Sequence, residues 1–149
     1  MLALPLTHLP QALHAELQRY WQLYRAAATD EHLALLTTQP EIFWQQLERC
    51  WGGSHYVAEQ CIASPALLAE LLEDLVAEYP SGHYAEQLET LLQAAQTELQ
   101  LHQLLRRFRH REMVRIIWRD LNRLAEMEQT TADLSRLADA CIDQALSWM

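Results

Sequence analysis

The sequence predicts an all-α fold, a bundle of about six or seven helices organised on one long central helix. Three observations carry that prediction. Leucine, alanine, glutamine, glutamate and arginine, all good helix formers, dominate the 149 residues, whereas glycine occurs only at Gly52, Gly53 and Gly82. Apolar residues recur at three- and four-residue steps and seldom alternate. Proline and serine stand where helices should start, outside the apolar runs. Half of the residues are apolar, enough for one core, so residues 1–149 read as a single helical domain.

Residues 10–28 carry Leu13, Leu17, Tyr20, Trp21 and Tyr24 on one stripe, and a short helical segment follows at 30–37. Pro40 suits the first turn of a helix bearing Phe43, Leu47, Cys50 and Trp51, which Gly52 and Gly53 should end. Ser54 can cap a helix to about Ala63. Ser64 and Pro65 open another through Leu68, Leu71, Leu72, Leu75 and Tyr79, broken by Pro80-Ser81-Gly82. From His83 to the Glu126 region nothing interrupts the helical pattern. A helix of about 40 residues would span about 60 Å, longer than a small domain, so it must support neighbours or bend. Thr130-Thr131-Ala132-Asp133 offers a capping start for a last helix with Leu134, Leu137, Cys141, Ile142 and Ala145 inward.

Charge is distributed unevenly. The net charge is −9 and lysine is absent, yet residues 105–123, "LRRFRHREMVRIIWRDLNR", hold seven of the eleven arginines between two acidic parts of the chain. Arg107, Arg111, Arg115, Arg119 and Arg123 recur every four residues, a row that drifts slowly around a helix. Leu101, Leu105, Met113, Ile116 and Ile117 mark the apolar side, and Arg109 falls among them. Arg109 is therefore either buried and paired, or the helix is irregular near Arg107–His110, because a buried unpaired guanidinium is too costly. The nearest source of partners is the chain's own carboxylates. An acidic protein or a phosphate is the other.

Several function classes recede. The acidic balance and the lack of basic arms argue against nucleic acid. The absence of eighteen uninterrupted apolar residues and of lysine in the basic segment argues against a membrane. No signal peptide is evident at residues 1–13, and Cys50, Cys61 and Cys141 read as reduced, mostly buried hydrophobes, which points to a cytoplasmic address. The seven histidines form no HExxH pair, no glycine-rich loop is present to cradle a phosphate, and Asp139 and Asp143 read as a solvated helix flank. Trp44, Trp51 and Trp118 read as core. The residues alone describe a helical module with no catalytic, cofactor-binding or metal-binding residues of its own.

"LRRFRHREMVRIIWRDL" resembles a segment of the bacterial glutamine synthetase adenylyltransferases, bifunctional enzymes that adenylylate and deadenylylate glutamine synthetase. Leu105, Arg106, Phe108, Arg109, Arg111, Met113, Val114, Arg115, Ile116 and Trp118 fit the family's L-R-x-F-R-x-R-E/I-M-V-R-I-x-W run. "SHYVAEQCIASPALLAELL" is similar to its S-D-F-V…P-x-L-L segment through Ser54, Val57, Pro65 and Leu68, with His55 in place of the usual acidic residue. "LSRLADACIDQAL" is similar to the helix that leads into the catalytic domain.

The resemblance implies the amino-terminal helical region of such an enzyme, the half associated with phosphorolytic removal of AMP from a tyrosine of glutamine synthetase. It implies ATP and Mg2+ for the parent enzyme but none in this chain, because the family's G-M-G-K-L-G-G-x-E-L-N and S-S-D-I-D-L runs are expected after Met149. Glutamine synthetase, a PII-type signal protein and the parent's own catalytic domain are the implied partners, with a scaffold or docking role and no catalysis from this chain alone. On that reading Arg106, Arg107 and Arg111 are candidates for docking a partner or domain, and Arg109, Arg115 and Arg119 for buried structural ion pairs. The rival expectation is a stand-alone helical adaptor.

Overall fold

The computed structural model describes Leu4 and residues 9–148, which form eight α-helices after a 3-10 turn at Gln11–Leu13. They are α1 (His14–Ala27), α2 (Asp30–Thr37), α3 (Glu41–Gly53), α4 (His55–Ala63), α5 (Pro65–Leu71), α6 (His83–Leu92), α7 (Glu98–Leu121) and α8 (Met127–Trp148). No strand occurs among the described residues, so the all-α expectation holds. No helix among them is long and apolar enough to cross a membrane.

The early boundaries follow the punctuation of the sequence. Thr29 and Ser54 cap α2 and α4, their hydroxyls accepting from the His32 and Val57 amides at 3.2 and 3.3 Å. Pro65 occupies the first turn of α5, where the missing amide hydrogen is no loss. Gly53 ends α3 where it meets α7, and a Cβ there would stand 3.2 Å from Leu121 Cδ1.

Three expectations need correction. The run from His83 to Glu126 is two helices, not one. Residues 93–97 leave the helix, and Thr97 restarts it from extended backbone with its hydroxyl accepting from the Gln100 amide at 3.2 Å. The Gln100 side chain accepts in return from the Gln96 amide at 2.8 Å, so Thr97 and Gln100 together start the helix without glycine or proline. The helix expected to run to Tyr79 stops at Leu71 and unwinds through turns at 72–76 before Pro80. The last helix begins at Met127, with Thr130 and Thr131 inside it, and Leu134 and Ile142, expected inward, are exposed on its surface.

α7 is the axis of the molecule, packing on α3, α4, α5, α6 and α8. Two cores lie on different sides of it. The larger gathers Tyr20, Trp21, Tyr24, Phe43, Leu47, Trp51 and Leu68 around Val114 and Trp118 of α7. The smaller joins Tyr84, Leu88, Leu101, Phe108, Ile116, Leu137 and Ala140. Since α7 is surrounded, buried residues run consecutively from Val114 through Ile116 and the helix shows no single apolar face. Its C-terminus closes with Arg123 in the left-handed region, at φ 56°. The Leu124 amide reaches back to the Arg119 carbonyl at 2.8 Å and the Arg123 amide to that of Asp120 at 3.1 Å, the Schellman arrangement normally built on glycine.

Candidate functional site

The arginine row of α7 clips onto the chain that unwinds after α5. Arg107 Nη2 donates to Glu70 Oε1 at 2.8 Å. Arg111 Nη2 donates to Asp74 Oδ2 at 2.8 Å, and its Nη1 pairs with the neighbouring Glu112. Arg115 donates from Nε to the Asp74 carbonyl at 3.1 Å, from Nη1 to the Tyr84 hydroxyl at 3.2 Å, and from Nη2 to the Ala77 carbonyl. Arg119 donates to the carbonyls of Leu75 and Leu124, each at 3.2 Å.

This ladder explains how irregular chain can follow α5 and still lie against α7. Irregular backbone leaves carbonyls without amide partners, and those buried against α7 must find donors in the protein. The carbonyls of Leu75 and Ala77 obtain them from two guanidiniums, and that of Asp74, which accepts from the Ala77 amide at 3.1 Å, gains a second donor from Arg115. Burial deepens along the row. Arg107 is exposed, Arg111 is half-buried, and Arg115 and Arg119 are buried.

Two buried carboxylates, Glu112 on α7 and Asp133 on α8, share this seam between the two cores. Burial raises the pKa of Glu112 although Arg111 and Arg115 pull it down, and Glu112 Oε2 has no hydrogen-bond partner among the described residues. Burial raises Asp133 in the same way against Arg115, Arg136 and Arg119. Burial pushes Arg111 down, but Glu112, Asp74 and Tyr79 outweigh it and hold its pKa above the usual value. Tyr79 lies under the Arg115 guanidinium, and burial, with Glu112 adding to it, pushes its phenol up to about 12. His83 stacks on Tyr79 with centroids 3.7 Å apart; burial and then Arg115 lower its pKa.

Two grooves flank α7. One, of about 880 Å³, lies over α6 and α7 and is lined by Glu70, His83, Glu86, Arg107, Phe108 and Arg111. The other, of about 460 Å³, lies between α7 and α8 and is lined by Leu105, Arg106, Arg109, Cys141, Ile142 and Ala145. No group of three histidine, cysteine, aspartate or glutamate side chains able to hold a metal occurs among the described residues. Gly52 and Gly53 face leucine side chains rather than a phosphate-sized space.

The expected site residues therefore fall into three places. Arg107 and Arg111 join the ladder through carboxylates, so Arg111 is a brace as well as a docking candidate. Arg115 and Arg119 are buried, but their nearest acceptors are backbone carbonyls and a phenol rather than the expected carboxylates. Arg109 is exposed, not buried, and like Arg106 it makes no ion pair among the described residues. The reason is that Leu105 and Met113, which bracket it, are only partly buried on the rim of the smaller core. Sequence reasoning missed Glu70 and Asp74 as partners. They stand four residues apart, the same step as Arg107 and Arg111, each thirty-seven positions earlier. His55 opens α4 with Nε2 2.7 Å from Glu59 Oε1 and its Nδ1 at the Tyr20 hydroxyl.

Fold and site together define a class: an all-helical module in which an arginine-rich helix ties two cores together. Residues 44–149 match the family described as glutamate-ammonia ligase adenylyltransferase, and the chain belongs to that family. It is 38% identical over 143 residues to the bifunctional glutamine synthetase adenylyltransferase/adenylyl-removing enzyme of Thioalkalivibrio sulfidiphilus, covering 95% of this chain and 14% of the relative. The enzyme of that name from Pseudomonas aeruginosa is 40% identical over 149 residues, covering 97% of this chain and 15% of the relative. The one from Pseudomonas putida is 37% identical over 149 residues, covering 98% and 15%. The chain thus spans about one-seventh of the length of these curated relatives.

Proposed function

We propose that this chain is the helical scaffold of an enzyme that adenylylates and deadenylylates glutamine synthetase, and that it contributes docking and rigidity rather than catalysis. The observation that carries the reading is the arginine ladder, in which one helix holds the post-α5 segment and both cores in fixed register. The relatives named above, aligned along nearly the whole chain, support it. A positioning element must hold its geometry, and buried guanidiniums that each donate to several separate acceptors provide that. On this reading ATP and Mg2+ are bound by other parts of the parent protein. Glutamine synthetase and a PII-type signal protein are its partners, in the cytoplasm.

The test is a titration of this chain against glutamine synthetase, with Arg106→Ala/Arg107→Ala beside it. Both guanidiniums lie at the surface, so the fold should survive, as circular dichroism would show. Specific binding lost in the double variant supports docking through this end of α7. Absence of binding by the folded chain removes the docking half of the proposal and leaves the scaffold.

A further inference from the structure

From Asp133 to its end, α8 carries two stripes suited to packing, and the fold fills only one. Asp133, Leu137 and Ala140 point inward against α6 and α7. Leu134, Ala138, Cys141, Ala145 and Trp148 repeat at alternating four- and three-residue steps on another face, the spacing at which one helix accepts another. Cys141 packs at the edge of the smaller core, but most of that face is open: Ile142 and Leu146 beside it are 57% and 63% exposed, and Leu134 and Trp148 are exposed as well. It runs into the α7–α8 groove through Cys141, Ile142 and Ala145. An apolar strip of this extent, rimmed by charge, marks an interaction surface rather than the scattered exposed leucines of any protein.

Charge decides what fits. Along the α7 edge stand Arg106 and Arg109, both exposed and neither in an ion pair among the described residues, whereas Arg107 and Arg111 nearby are already paired. Along the far edge of α8 stand Asp139 and Asp143, both exposed. In a chain of net charge −9, two adjacent arginines left without a carboxylate are out of keeping with their surroundings.

We propose that the α7–α8 face is a docking surface for an amphipathic helix of a protein partner, laid along α8 with a row of carboxylates over Arg106 and Arg109. The Leu134–Trp148 stripe and the groove supply the apolar contact, while the two arginines set partner choice and orientation. The inference holds whichever protein supplies the helix, so loss of glutamine synthetase binding and loss of helix binding are separate results.

The experiment uses fluorescent peptides of about 21 residues, three heptads, with identical leucine and alanine stripes and either glutamate or lysine along one edge. Anisotropy should show the glutamate peptide binding about tenfold more tightly than the lysine peptide, with the gap closing at high salt. Arg106→Glu/Arg109→Glu should reverse the preference; both side chains are exposed and neither makes an ion pair among the described residues, so the fold is expected to stay intact. Ile142→Lys should abolish binding of both. Equal affinity for the two peptides, or binding of neither, would overturn the proposal. So would a concentration-dependent dimer in sedimentation that Ile142→Lys removes, because the face would then be covered by a second copy.

Discussion

Arg115 holds its guanidinium carbon 3.4 Å from the centroid of the Tyr79 ring while donating to the carbonyls of Asp74 and Ala77 on the same segment. One side chain thus stacks on a strand of irregular backbone and satisfies it. Irregular chain next to a core is tolerable only when its polar groups are paired, and here α7 provides the donors.

Replacing Arg115 should be far more costly than replacing Arg107. Arg115→Met leaves the Ala77 carbonyl without a donor, strips one hydrogen bond each from the Asp74 carbonyl and the Tyr84 hydroxyl, and is expected to cost about 3 kcal/mol. Arg115→Lys should recover little, because one ammonium cannot span acceptors that a planar guanidinium reaches together. Arg107→Ala removes an exposed ion pair and should cost under about 1 kcal/mol. Urea unfolding followed by circular dichroism measures all three, and an Arg115→Lys as stable as the parent would contradict the ladder.

Arg123→Gly should stabilise the protein by about 1 kcal/mol. The residue sits at φ 56°, where a side chain is strained, and glycine is the usual occupant of a Schellman closure. A raised midpoint in thermal unfolding is the expected outcome. An unchanged or lowered midpoint would show that the Arg123 side chain contributes something the strain does not reveal.

Thr97→Ala should cost about 1 kcal/mol by removing the cap that starts α7. Thr97→Ser should behave like the parent. Hydrogen exchange gives the local readout: amides near the start of α7 should lose protection in the alanine variant while those around Trp118 hold theirs until global unfolding.

Stability should fall as pH drops below the ordinary histidine range, in part through His110. Burial, followed by Arg109 and Arg106, lowers its pKa, and its Nδ1 lies 2.7 Å from the Tyr56 hydroxyl. A lowered value means the unfolded chain binds the proton more readily, so this contribution is present above pH about 6.5 and is lost as pH falls through the folded value. His110→Gln should therefore lose less stability than the parent between neutral and mildly acid pH. Glu112 and Asp133, raised by burial, act with the opposite sign, but both remain in the variant and cancel in the comparison. Identical pH profiles for the two proteins would exclude His110 as a contributor.

Much of this protein was determined by its sequence. Helix-forming composition, three- and four-residue periodicity and the starts at Pro40, Ser54 and Pro65 specify an all-helical chain and the positions of α1 to α4. These are local properties, carried by neighbouring residues and the backbone between them. The cap at Thr97 is equally local and present in the letters, but threonine and glutamine are common inside helices as well, so they punctuate a helical pattern less sharply than glycine or proline.

The tertiary structure alone decided which side of α7 is inside. A helix ringed by five others has no single apolar face, so the periodicity that placed Arg109 among apolar residues could not tell a rim from a core. Only the approach of the unwound chain after α5 makes buried guanidiniums tolerable at Arg115 and Arg119, because their acceptors are backbone carbonyls that no residue-type pattern displays. The same assembly leaves Arg106 and Arg109 facing outward. Sequence determined the positions of charge along the helix; packing against distant segments determined which charges hold the fold and which remain for a partner.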